Sequence, residues 1–274
     1  MNLEVLEKND TRLDFVVSGI SIEMINAIRR IILSQIPVMA IDEVIILKND
    51  SPLYDEIVAH RLGLIPLKTD LDNYNLPRDC ECGGYGCALC QVSLTCEITN
   101  TTNKSMIINS GELNSNDPDV IPVHNEIPIL KIDKNSKVII EAYAILGTGK
   151  DHAKFSAVSN CAYRFYPVIE FDESKLTDIE ELNTIVKMCP ENLFELSNKK
   201  LKLKDDYWKT CILCKSCEEN SDGKIKVSWK DTTYIFTLES DGVLPFDVII
   251  KKAFEIFLNK ISEFTEKLEE IEIS

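Results

Sequence analysis

Four cysteines late in the chain constrain it most: Cys189, followed by Pro190, and then Cys211, Cys214 and Cys217 at intervals of three. Bacterial two-cluster iron-sulfur runs read C-x2-C-x2-C-x3-C-P; three cysteines hold one cluster, and the fourth, before proline, reaches the other. A single surviving cluster therefore needs one triplet and the opposite Cys-Pro. Those are the four ligands this chain keeps. Counting back from Cys189, the other triplet would fall at Ile179, Leu182 and Ile185, and the fourth position after Cys217 is Ser221. The three aliphatics stand at helical spacing and are expected to fill the vacated site as core.

The spacing favours one [4Fe-4S] cluster on Cys189, Cys211, Cys214 and Cys217, with [3Fe-4S] the form expected if one cysteine does not bind. Zinc and a pair of disulfides are the alternatives. Zinc accepts four thiolates, but its common pattern joins two C-x2-C pairs, whereas here a triplet stands with a distant single cysteine.

A second group reads Cys80-x-Cys82-x4-Cys87-x2-Cys90. Two close pairs joined by Gly83, Gly84 and Gly86 form a compact four-thiolate loop, because glycine lets the backbone curl until both pairs face one ion. Structural zinc is its natural occupant, and a disulfide pair or an empty loop is the alternative. Cys96 lies in the alternation Val92, Leu94, Cys96, Ile98 and is expected to be a small core residue of a strand.

With 274 residues the chain has room for two or three compact units. Ten cysteines behind an N-terminus without basic or apolar leader character point to metal chemistry in a reducing cytoplasm, not to a disulfide scaffold. No apolar run approaches the ~20 residues of a membrane span. A net charge of -15 argues against this chain as a principal nucleic-acid binder, since phosphate contacts need a concentrated basic surface.

Along the chain, Asn2 to Leu6 and Leu13 to Val17 read as strands. A helix follows Ser21 with Met24, Ile25, Ile28, Ile31 and Ile32 on one face, and Pro37 marks its end. Strands are expected at Ile41 to Leu47, Val92 to Ile98, Ile129 to Ile132 and Val138 to Ile145. The segment from about Asp172 to Gly223 reads as helical and charged, and Lys224 to Trp229 with Thr232 to Leu238 as a hairpin. A long helix opens after Gly242 to Pro245. In it Ile250, Phe254, Phe257, Ile261, Phe264, Leu268 and Ile271 recur at alternating steps of four and three, a seam for another helix, while Ile249, Ala253 and Ile256 form a second apolar edge.

Several stretches then converge. Residues 24–31 (MINAIRRI), 36–42 (IPVMAID), 55–67 (DEIVAHRLGLIPL), 147–156 (GTGKDHAKFS) and 240–245 (SDGVLP) resemble the alpha-type subunits of cellular RNA polymerases, and the cluster-bearing insertion resembles that of the archaeal branch of this family. The Cys80 to Cys90 loop is similar to a zinc loop of the eukaryotic branch, with four residues between its pairs where that loop has three. The resemblance spans essentially the whole chain.

It implies an α+β fold in which a discontinuous alpha-type dimerisation domain, 1–45 with 228–274, carries an inserted mainly-β domain at 46–166 with the zinc-type loop, and a ferredoxin-like iron-sulfur domain at 167–227. It also implies a non-catalytic assembly subunit of DNA-dependent RNA polymerase, in the cytoplasm, that pairs with a small L-type partner and nucleates assembly with subunits N and P and the second-largest subunit. Arg29, Arg30 and Arg61 would lie near the surface that receives the large subunits, and Ile250, Phe254, Phe257, Ile261, Phe264 and Leu268 at the heterodimer face. Solvated arginines flanking an apolar face are the plainer reading of Arg29 and Arg30. No nucleophile accompanies His60 or His152, and Gly147-Thr148-Gly149-Lys150 lacks the spacing of a phosphate loop. A cluster-bearing redox or oxygen-responsive protein is the competing class; no flavin or nicotinamide fingerprint accompanies it.

Overall fold

The computed structural model describes residues 1–172, 174, 176, 178–198 and 200–272. In chain order the elements are β1 (Asn2–Lys8), β2 (Arg12–Ser18), α1 (Ile22–Ser34), β3 (Pro37–Asn49), α2 (Asp55–Gly63), β4 (Gln91–Thr99), β5 (Met106–Asn109), β6 (Asn114–Ser115), β7 (Pro128–Ile132), β8 (Lys137–Thr148), β9 (Asn160–Phe171), α3 (Ile179–Met188), β10 (Phe194–Ser197), β11 (Lys200–Leu203), α4 (Tyr207–Thr210), α5 (Ser216–Glu219), β12 (Ile225–Glu239) and α6 (Phe246–Glu272). The chain packs into two compact units: Met1–Leu6, Asp14–Ile22 and Tyr163–Phe236 form the first, and Glu7–Leu13, Glu23–Ala162 and Thr237–Ser274 the second.

The first unit is built on a sheet in the order β1-β2-β12-β9. Residues 225–239 form one continuous strand instead of the expected hairpin. A tight hairpin would need positive φ at Lys230 and Asp231, and neither adopts it. The polar stretch between the two apolar runs is simply exposed strand. Aromatic rings knit the sheet: Phe15 stacks on Phe236 at 5.2 Å and Tyr163 meets Tyr234 edge-on at 5.6 Å. A separate apolar core gathers Ile169, Leu176, Leu182, Ile185, Leu193 and Phe194 around three of the late cysteines.

The segment 172–223 is less helical than expected. Among its described residues only α3 is a helix of more than one turn, and β10 pairs antiparallel with β11. The run Phe194, Leu196, then Leu201, Leu203 alternates with a period of two around Asn198, whose φ of 53° supplies the left-handed turn. In α3, Leu182 and Ile185 are fully buried, whereas Ile179, expected in the same core, is 45% exposed. It occupies the first turn, just after the cap that Asp178 makes by accepting from the Glu180 N–H at 3.0 Å.

The second unit centres on an antiparallel sheet in the order β3-β8-β4-β6. Along β8 buried and half-buried residues alternate, as a strand covered on one face requires. Val58 and Leu62 of α2 enter the core below it, with Leu94, Ile140 and Ala142. In α1, Ile25, Ile28, Ile31 and Ile32 are buried, the apolar face expected from their spacing, and Met24 is only half-buried.

Candidate metal centres and an exposed helix face

The loop ahead of β4 brings four thiols to one point. The Sγ atoms of Cys80 and Cys87, Cys80 and Cys82, and Cys82 and Cys90 lie 3.6 Å apart, and those of Cys87 and Cys90 3.7 Å. This is far beyond the ~2.05 Å of a disulfide bond. It matches the ~3.8 Å edge of a tetrahedron whose ligands sit ~2.3 Å from a central ion. The backbone makes the convergence: Gly83, Gly84 and Gly86 have φ of 70°, 85° and 90°, the left-handed region that other residues resist. The Gly83 N–H donates to the Cys80 carbonyl at 2.9 Å, the Cys90 N–H to the Cys87 carbonyl at 3.0 Å, and the Cys87 N–H to the Cys90 sulfur at 3.3 Å.

Crowding splits the thiols' acidity. Burial works to raise Cys82, but bonds from neighbouring thiols and from the Gly84 N–H outweigh it and bring that thiol down to about 6; burial, with the nearby sulfurs, drives Cys90 up to about 12. Four close thiols that share protons so unequally are a site that can hold a metal ion in exchange for them.

The late cysteines are arranged differently. Cys189, Cys211, Cys214 and Cys217 line one pocket with Ile169 and Val227. Cys189, Cys211 and Cys217 are buried and Cys214 is exposed. Among the described residues, the early loop is the one group whose ligand atoms crowd around a single point. The late cysteines line a pocket without crowding so closely. Positive φ at Leu213 and Lys215 (56° and 62°) bends the triplet around it, and the Leu193 N–H donates to the Cys189 sulfur at 3.4 Å. Burial raises the Cys211 thiol and lifts Cys217 to about 11, with the other pocket thiols adding to both. Four cysteines lining one pocket are a thiol set that could hold a metal centre.

The arginines are placed plainly. Arg29 is half-buried and donates to the Asn26 side chain at 3.1 and 3.3 Å; Arg30 is exposed. Exposed Arg61 donates to the Ile129 carbonyl at 2.8 Å and so ties α2 to β7. The Gly147 to Lys150 stretch is the end of β8 and the turn that follows it at Gly149. Asp151 accepts from the Thr148 hydroxyl at 2.7 Å, and a side chain at Gly149 would run into the Leu33 carbonyl. His152 accepts from the Lys154 N–H at 3.1 Å, and the Lys154 ammonium pairs with Asp42 at 2.6 Å. These polar residues hold turns together.

In α6 the two apolar edges separate. Ile249 and Ala253 are fully buried, and Ile250, Phe254 and Phe257 half-buried. From there outward Leu258 is exposed by 60%, Ile261 by 47%, Phe264 by 64%, Leu268 by 45% and Ile271 by 69%. An apolar seam of this length in water is a surface for association. No helix among the described residues is long and apolar enough to cross a membrane.

A mixed α/β chain with an exposed helical seam and four clustered thiols presents a surface built for association. The model of the RNA polymerase Rpb3/Rpb11 dimerisation domain matches residues 14–261, and the chain belongs to that family. Curated relatives span nearly its full length. The DNA-directed RNA polymerase subunit Rpo3 of Methanosphaera stadtmanae is 44% identical over 91% of this chain and 92% of the relative. Those of Archaeoglobus fulgidus and Methanopyrus kandleri are 35% and 34% identical over 98% and 94% of this chain, and 98% and 92% of the relatives. This kinship favours the assembly class over the redox class.

Proposed function

We propose that this chain is a non-catalytic, Rpo3-type subunit of a DNA-directed RNA polymerase, acting in the cytoplasm to assemble the enzyme. The observation that carries this reading is the outer edge of α6, an apolar seam left uncovered by its own chain within a family defined by dimerisation. Phe254, Phe257, Ile261, Phe264 and Leu268, with Ile250, would pack against the helix of a smaller L-type partner, knobs into holes. Residues 1–45 with 228–274 would form the dimerisation domain, 46–166 an inserted β-rich domain and 167–227 an iron-sulfur domain. Arg30 and Arg61, both exposed, and half-buried Arg29 would meet the large subunits, with N and P joining the assembled pair.

Both thiol groups serve structure in this reading. Cys80, Cys82, Cys87 and Cys90 would hold a zinc ion, which orders a loop that has few apolar contacts of its own. Cys189, Cys211, Cys214 and Cys217 would hold one cluster, [4Fe-4S] by ligand count, at the pocket they line with Ile169 of β9, Phe194 of β10 and Val227 of β12. The test is co-expression of the full chain with an L-type partner, read by light scattering. A one-to-one heterodimer is expected, and Phe264→Asp returns both chains to monomers. A chain that stays monomeric beside its partner contradicts the reading.

A further inference from the structure

Arg164, on β9, reaches the backbone that leads into the first cysteine of the late triplet. Its Nη1 donates to the carbonyl of Cys211 at 2.9 Å and to that of Trp208 at 3.4 Å, and its Nη2 donates to the carbonyl of Lys209. These carbonyls close the single turn of α4, which is too short to satisfy them itself. Two residues along, on the same face of β9, Tyr166 stacks on Trp208 with ring centres 5.2 Å apart. The Lys230 ammonium lies 4.7 Å from the Tyr166 ring centre and that of Lys209 5.6 Å from the Trp208 ring centre.

The sheet thus grips the segment 208–211 by its backbone and by its one large side chain. A guanidinium suits several spaced carbonyls, because its five donors lie in one rigid plane on three nitrogens, whereas the three donors of an ammonium radiate from a single nitrogen. Arg164 is half-buried, so its charge acts on its surroundings with less screening than at an open surface. Asp14 and Glu191 are the acidic groups that face it, besides Cys211 itself.

We propose that Arg164 is the positioning residue for the cluster ligand Cys211, holding that thiol toward the pocket through the carbonyls of residues 208, 209 and 211 and placing a fixed positive charge beside it. The charge favours the more negative, reduced state of a cluster bound there. The inference deepens the iron-sulfur reading of the pocket and rests on it for the second effect; the clamp on the backbone does not.

The test compares the full chain as wild type, Arg164→Lys and Arg164→Met, purified anaerobically. In metal-free, reduced protein, Cys211 should be alkylated by iodoacetamide roughly three- to tenfold faster in Arg164→Lys, the size of a lost hydrogen bond, and faster by less in Arg164→Met, where losing the charge also makes the thiol less acidic, with Cys96 unchanged in both. After cluster reconstitution, Arg164→Met should shift the reduced-to-oxidised ratio at a fixed poise by roughly three- to tenfold toward oxidised, tenfold being about 59 mV for a one-electron couple. Arg164→Lys, which keeps the charge, should stay near the wild-type potential while losing its cluster faster in air. Equal Cys211 alkylation in all three proteins overturns the clamp, and a potential unmoved by Arg164→Met overturns the electrostatic role. A wild type that takes up no iron or sulfide, with Cys211 still faster in the variants, removes the cluster reading and leaves the clamp standing. Should Arg164→Met unfold, seen as rapid Cys96 labelling, wild type against Arg164→Lys decides the clamp by the same Cys211 readout.

Discussion

The two cysteine groups reach their geometry by opposite routes. The early group is made by local curvature: four thiols within eleven residues of sequence, brought to 3.6–3.7 Å by left-handed glycines and by N–H bonds inside the loop itself. The late group is made by a core. Its cysteines come from either side of the β10-β11 pair, and buried Leu182, Ile185, Leu193 and Phe194 hold the chain around the pocket. The first kind of site can be written into a short peptide; the second exists only once a domain has formed around it. Metal loss should therefore have local consequences in one and cooperative consequences in the other.

The largest expected effect comes from breaking the early site. Cys82→Ser with Cys87→Ser removes half the ligand set, and structural zinc sites have apparent binding free energies of about 10 to 16 kcal/mol. Metal content read by native mass spectrometry should fall from one zinc to none, with hydrogen exchange rising over 77–90 and unchanged in β4 and β8. Exchange that rises throughout the β3-β8-β4-β6 sheet would show that the loop is not local.

Next comes the core of the late site. Leu182→Ala empties a fully buried position and should cost about 2 to 5 kcal/mol, together with loss of iron, whereas Ile179→Ala, at a 45% exposed position, should cost under about 0.5 kcal/mol. Anaerobic denaturant titration compares them. Equal costs would mean that the buried face of α3 is wrongly placed.

A smaller effect is expected at Gly86, whose φ is 90° and where a side chain would press on the Gln91 amide. Gly86→Ala should cost about 1 to 2 kcal/mol through the left-handed backbone and weaken zinc binding accordingly, measured by competition with a chelator. Unchanged affinity would show that the loop reaches its geometry without that turn.

The smallest concerns thiols outside both sites. Burial pushes Cys96 up to about 11 and Cys161 up to about 12, against an ordinary value near ~8.5. A raised folded value contributes stability that is fully present below the unfolded value and is lost as pH rises through the folded one, here between about 8.5 and 11–12. At pH 8 both thiols stay protonated, so iodoacetamide should label exposed Cys214 of metal-free protein while sparing Cys96 and Cys161. Rapid labelling of either would contradict their burial.

Much of this is legible in the residues, for reasons that differ by site. Cysteine spacing and the glycines between the pairs suffice for the early loop because its geometry is local. For the late group, the gathering of the four cysteines at one place is readable, and so is the aliphatic filling at Leu182 and Ile185. Arg164 is not, since a lone arginine in a strand carries no motif and its partners are backbone carbonyls more than forty positions away. The continuous β12 reads as a hairpin because Lys230-Asp231 looks like a turn when only polarity is weighed and φ is unknown. The β10-β11 pair is hidden beneath the charge of its lysines. In α6, periodicity reveals two apolar edges, but only packing tells which of them the chain keeps for itself.

The most direct measurement is iron, acid-labile sulfide and zinc per chain after anaerobic purification of the full-length protein. The account predicts about four iron, about four sulfide and about one zinc, with the iron lost in Cys217→Ser and the zinc lost in Cys82→Ser, each without the other. Zinc in both sites, or sulfide absent while all ten cysteines remain intact, would contradict it.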